Sequence, residues 1–169
     1  MSPAAKPLGS RATARLERPL WRCPSCGRRF ANRNQTPTCA KLDLAHHFVN
    51  RPPEVRKLYD ELVTKLQRLG PLTVLPEKTR IAFQVRMSFA QVTPRRDGLD
   101  GHAVLARRLE HPQVHKIETF SARNHVHYFR LRSAADLTPE LMELLREAYA
   151  VGEQRHLERA PSRKVARAR

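Results

Sequence analysis

Two amphipathic stripes bracketing a run of alternating residues set the strongest limit on what this chain can fold into. Val55, Leu58, Tyr59, Leu62, Leu66 and Leu69 recur at the spacing of a helix that buries one side. Pro53 suits its first turn, and Gly70-Pro71 stops it. A second stripe, Leu141, Leu144, Leu145, Ala148 and Tyr149, follows Thr138 as cap and Pro139 as first helical residue, and Gly152 closes it. Each stripe needs an apolar surface to cover it, and the segment between them supplies one.

That segment reads as strands. Residues 72–75, 79–85, 99–109, 116–120 and 126–131 are apolar or alternating, with Ile81, Phe83 and Val85 on one side of the second, which 89–92 continues after a break near Met87-Ser88. Arg95-Arg96-Asp97-Gly98 reads as a hairpin turn, since Asp-Gly tolerates positive φ. The order helix, antiparallel strands, helix predicts an α+β domain over 51–153, its sheet packed against helices near 53–69 and 138–151. Leu58, Leu62, Leu66, Ile81, Phe83, Leu141, Leu145 and Tyr149 are its expected core.

All three cysteines precede that domain, in Trp21-Arg22-Cys23-Pro24-Ser25-Cys26-Gly27-Arg28-Arg29-Phe30 and at Cys39. A Cys-x-x-Cys turn followed by Gly presents two thiolates to one tetrahedral zinc, and Arg22, Arg28 and Arg29 favour the thiolate form. Cys39 is the natural third ligand, and His46 and His47 are the nearest candidates for the fourth. A redox pair would normally open a helix after a strand, a frame that Gly27-Arg28-Arg29-Phe30 does not fit. Three unbound cysteines is the remaining reading. Catalytic zinc is disfavoured because Asp43 is the one acid nearby. Residues 20–50 are therefore expected to form a small zinc-knuckle or ribbon-like unit. Three cysteines cannot all pair, so a disulfide scaffold is excluded and a reducing, cytoplasmic compartment is expected.

The positive charge gathers at the two ends. Residues 1–50 carry nine Lys and Arg against two acids, and 154–169 carry six against one, whereas 51–153 carry 17 against 13. Basic ends attract polyanions, of which nucleic acid is the commonest in a cytosol. Arg22, Arg28, Arg29 and Arg33 on the knuckle are the expected phosphate contacts, with Lys78, Arg80, Arg95 and Arg96 on the sheet beside Phe83, Phe89, Tyr128 and Phe129. The alternative is that the aromatics face the core and the cations water, with the 25 Arg against 7 Lys reflecting genome composition. Residues 1–19 and 154–169 read as disordered basic arms.

Little points to catalysis. The six glycines form no phosphate-binding loop, and Ser88 and Ser121 lack a nucleophile context. His125 and His127 share one side of a strand, which more often makes a polar face than a metal site. No apolar run approaches the roughly 20 residues of a membrane span, and the first twenty residues lack the apolar core of a secretory signal. The chain reads as a non-enzymatic, zinc-stabilised module that binds nucleic acid without sequence preference. A protein-interaction or small-ligand-binding module with a structural zinc is the alternative.

Several short motifs, in order, resemble a bacterial family known as domain of unknown function 5655, whose members open with a zinc-knuckle segment. They are Cys23-Pro24 to Cys26-Gly27-Arg28 with Phe30, Asn34-Gln35 leading to Cys39, and His47-Phe48. Pro76, Lys78-Thr79, Ile81 and Phe83 follow, then Phe89-Ala90, Val92, Pro94, His127, Arg130-Leu131 and Glu147-Ala148-Tyr149. The resemblance implies the α+β fold and a zinc site, and no reaction. Relatives carry a His two positions before the third cysteine, where this chain has Pro37. The resemblance makes His47 the preferred fourth ligand, since His-Phe at that place matches the family.

Overall fold

A computed structural model describes residues 18–33, Cys39 and 42–157. Most of the two expected basic arms, and Asn34, Gln35 and Pro37, lie outside the described residues.

The helices stand where the apolar spacing puts them. Helix α1 (Pro53–Gln67) buries Val55, Leu58, Tyr59, Leu62 and Leu66 along one side. Helix α2 (Pro139–Gly152) is capped by the Thr138 hydroxyl, which accepts from the backbone N–H of Leu141, and buries Leu141, Leu144, Leu145, Ala148 and Tyr149. Among the described residues no helix is long and apolar enough to cross a membrane.

Six antiparallel strands form the main sheet: β3 (Thr73–Pro76), β4 (Ile81–Gln84), β5 (Ser88–Arg95), β6 (Gly98–Leu105), β7 (Val114–Ser121) and β8 (Asn124–Leu131). Their spatial order is β3-β4-β5-β6-β8-β7, so the last hairpin reverses and leaves β7 at the edge. Alternation sorts the residues onto two faces. Ile81, Phe83, Val92, Leu99, Ala103, Leu105, Phe129 and Leu131 share one buried cluster with the stripes of both helices, and all eight expected core residues belong to it. Leu62, Leu66, Ile81, Phe83 and Leu141 are each 1% exposed or less.

The β5–β6 turn is tighter than a central Asp-Gly would make it. Arg95 pairs with Gly98, leaving Arg96-Asp97 as the loop, and Gly98 opens β6 with φ +148°. A Cβ there would sit 2.0 Å from the Leu131 carbonyl oxygen, so the glycine is set by the approach of β8 as well as by φ.

On the opposite face one row crosses the sheet through Leu75, Ala82, Gln91, His102, Tyr128 and Lys116. Its β3–β4 end is buried although no helix covers it. The cover comes from a two-stranded ribbon, β1 (Trp21–Arg22) paired with β2 (Arg29–Phe30), whose Phe30 is 3% exposed. The side-chain amide of Gln84 ties the two parts by donating to the Arg29 carbonyl at 3.0 Å. A short turn at Arg155–Leu157 with Gln154 buried continues the described fold past 153, where the sequence reading begins its basic tail.

Candidate metal centre

The Cys-x-x-Cys segment folds as the turn between β1 and β2. Cys23 N–H donates to the Arg28 carbonyl at 2.8 Å, and Gly27 N–H returns to the Cys23 carbonyl at 2.8 Å. Gly27 takes φ +72°, the left-handed geometry that closes such a knuckle. The guanidinium of Arg22 lies directly over it, 3.6 Å from where a Cβ would stand.

This turn, together with Cys39, brings three sulfurs within 4.8 Å of one another. Cys23 and Cys39 Sγ are 3.7 Å apart, sixteen positions distant in the chain. A disulfide needs about 2.05 Å, and all three thiols are free. Three ligands at Zn–S distances of about 2.3 Å in a tetrahedron would stand about 3.8 Å apart. The cluster could hold a metal ion. The Cys23 thiol is drawn down to about 7, first by a hydrogen bond from the Cys26 backbone, while Cys39 is pushed up, first by its hydrogen bond to the Cys23 sulfur. A metal would bind here by displacing the thiol protons.

His47, the expected fourth ligand, does not join the cluster. It belongs to a 3-10 turn, Leu44–Phe48, whose Leu44 and Phe48 pack on the core, Phe48 at 5.1 Å from the Tyr59 ring. Its Nε2 is buried with no hydrogen-bond partner among the described residues, and burial lowers its pKa. His46 is exposed and also outside the cluster. The spacing in sequence could not register that the turn carrying both histidines is anchored to the helical core rather than to the ribbon.

The expected phosphate contacts divide. Arg22, Arg28, Arg29 and Arg33 all lie on the ribbon or directly after it. On the sheet, Arg80 pairs with Glu77, and Arg95 shares Asp100 with Arg130, while Lys78 and Arg96 stand exposed in turns. Phe83, Phe89 and Phe129 are buried and unavailable for stacking. Tyr128 alone faces outward, its hydroxyl donating to Glu118 at 2.7 Å with Lys116 over its ring. Of these four aromatics three face the core and Tyr128 faces out, and of the four sheet cations Arg80 and Arg95 are ion-paired.

His125 and His127 are structural. His127 is fully buried, and its Nδ1 donates to the His125 carbonyl at 3.1 Å while Nε2 accepts from the Leu109 N–H at 3.0 Å. His125 bonds the Thr119 hydroxyl at 2.9 Å.

A family model described as domain of unknown function (DUF5655) covers residues 45–152, well over half the chain, and its span takes in the sheet, both helices and His47 but none of the three cysteines. No curated protein and no solved structure matches.

Proposed function

Because the chain belongs to the DUF5655 family, whose description names no activity, we propose its function from its own chemistry: a zinc-stapled ribbon that binds nucleic acid without sequence preference. The observation that carries this reading is the 3.7 Å approach of Cys23 to Cys39 beside Cys26. An all-sulfur set selects thiophilic ions, and zinc is the redox-inert one that accepts tetrahedral geometry without further constraint. Cys23, Cys26 and Cys39 would supply three of its ligands.

The ion holds the backbone that carries Arg22, Arg28, Arg29 and Arg33. Four guanidinium groups on one stapled ribbon are pre-ordered, so phosphate contacts there cost less side-chain and loop entropy than on a free arm. The two basic ends add charge at long range. Such contacts read phosphate and not bases, so affinity should depend on salt and length rather than sequence.

The test pairs elemental analysis of the purified protein with anisotropy titrations of random-sequence DNA and RNA. One zinc per chain is expected, with log affinity falling linearly in log salt at about −0.9 for each duplex phosphate neutralised. Protein that carries no zinc overturns the metal assignment. Protein that passes random DNA and RNA at low salt without retention overturns the nucleic-acid assignment.

A further inference from the structure

The main sheet has two edges, and they are built differently. Strand β3 (Thr73–Pro76) is four residues long and ends on a proline, which has no N–H to offer a further strand. Strand β7 (Val114–Ser121) is eight residues long and holds neither proline nor glycine. Among the described residues, no hydrogen bond beyond those to β8 reaches the backbone of Lys116–Phe120. Phe120 is 66% exposed, more than any other large apolar side chain among the described residues. A long open edge beside an exposed aromatic ring is a template for a further strand.

Register decides which strand fits. Lys116–Thr119 runs opposite Tyr128–His125 of β8 without a break, and the register slips only between Val114 and Lys116 and between Thr119 and Ser121. Suppose the same strand of a second copy lies antiparallel along this edge under a two-fold axis. One residue must then stand opposite its own copy, because successive ladder pairs alternate in type. Centring on Lys116 or on Glu118 sets two like charges face to face, which is unfavourable. Centring on His115 or Thr119 makes no charge pair at all. Centring on Ile117 sets each Lys116 opposite Glu118 of the other copy, twice over, and brings Phe120 to Val114 of the other copy.

The charges are already placed for this. Lys116 and Glu118 are ion-paired within the strand, and Glu118 also accepts from the Tyr128 hydroxyl at 2.7 Å. Two copies would close them into a four-charge cluster of alternating sign. Net charge does not oppose the contact strongly, since residues 51–153 carry 17 Lys and Arg against 13 acids and most of the excess cation belongs to the two ends.

We propose that the β7 edge binds a second copy of this chain, antiparallel and centred on Ile117, joining two six-stranded sheets into one continuous sheet. The contact is one strand ladder with its side chains, so the dimer is a weak one that forms as concentration rises. It stands apart from the zinc and nucleic-acid readings, because the cysteine ribbon is tied to β4, toward the other edge of the sheet.

Sedimentation equilibrium of the full chain, kept reduced and freed of nucleic acid, tests it. The average mass should rise from one chain toward two across the micromolar range. Amide exchange within Lys116–Thr119 should slow over the same range. Lys116→Glu and Glu118→Lys each set like charges opposite one another in this register, so each should weaken the dimer at least about tenfold. The double exchange restores opposite charges and should bring association back to within about threefold of the parent. Far-UV circular dichroism should match the parent throughout, since neither side chain belongs to the core. A chain that stays monomeric at every concentration, single exchanges that leave the mass curve unmoved, or a double exchange as weak as the singles overturns the proposal.

Discussion

The side-chain amide of Gln84 donates to the backbone carbonyl of Arg29 at 3.0 Å, joining β4 to the cysteine-bearing ribbon across fifty-five positions of sequence. Gln84 is 3% exposed, so the bond forms away from water, where an unmet carbonyl is costly. Gln84→Leu keeps the bulk and removes the donor. A loss of about 1–3 kcal/mol is expected, together with faster tryptic cleavage after Arg22, Arg28 and Arg29. Unchanged cleavage would show that the ribbon is held by its apolar contacts alone.

Cys26→Ser should reduce bound zinc to well below one ion per chain, because two thiolates cannot replace the affinity of three. His47→Ala should leave zinc content unchanged, since that ring lies outside the sulfur cluster. Elemental analysis after dialysis against a weak chelator reads both. Zinc lost from the His47 variant would place that residue at the metal after all.

Stability should fall as the solution is acidified from about 6.5 toward about 4. Burial lowers the pKa of His127, and burial followed by the Arg80 charge lowers that of His102 to about 4, both from 6.5. Between the ordinary and the lowered value the unfolded chain binds more protons than the folded one, so stability rises with pH across that window and is complete above it. Geometry gives His127 a second reason. Its Nδ1 proton is committed to the His125 carbonyl, so a new proton would enter at Nε2, facing the Leu109 N–H. His127→Phe should cost about 2 kcal/mol at neutral pH through the two backbone groups left unpaired and should flatten the acid limb in denaturant titrations. An acid limb as steep as the parent's would assign the effect to other groups.

Gly98→Ala should be among the most damaging single-methyl changes in the sheet. The new Cβ meets the Leu131 carbonyl oxygen at 2.0 Å, a backbone atom that cannot swing aside, and the φ of +148° is strained for any side chain. A loss of more than about 2 kcal/mol is expected in thermal or denaturant unfolding. By contrast, Gly27→Ala meets only the flexible Arg22 tip at 3.6 Å and is strained by its φ of +72° alone, so a loss nearer 1 kcal/mol is expected.

Both helices and the eight expected core residues were legible in the chain, because each rests on local spacing, whereas residues 89–92, read as continuing the strand at 79–85, turn back to pair antiparallel with it. Period 3.6 along Val55–Leu66 and period 2 around Ile81–Phe83 express which residues must share a face, and the capping Thr138 and flanking prolines mark where a helix can begin. Local spacing also marked Cys23 and Cys26 as neighbours and Cys39 as their third.

Long-range geometry decided the rest. The order β6-β8-β7 depends on which edge the last hairpin finds, and no residue in it encodes that choice singly. His47 sits next to Phe48 in sequence, and the burial of Phe48 against Tyr59 carries the histidine away from the sulfurs. His127 reads in sequence as part of a polar strand face, yet it is fully buried, and the Leu109 and His125 backbone groups claim both its nitrogens. Periodicity determines which side of an element is apolar; only packing determines what that side, or its reverse, comes to touch.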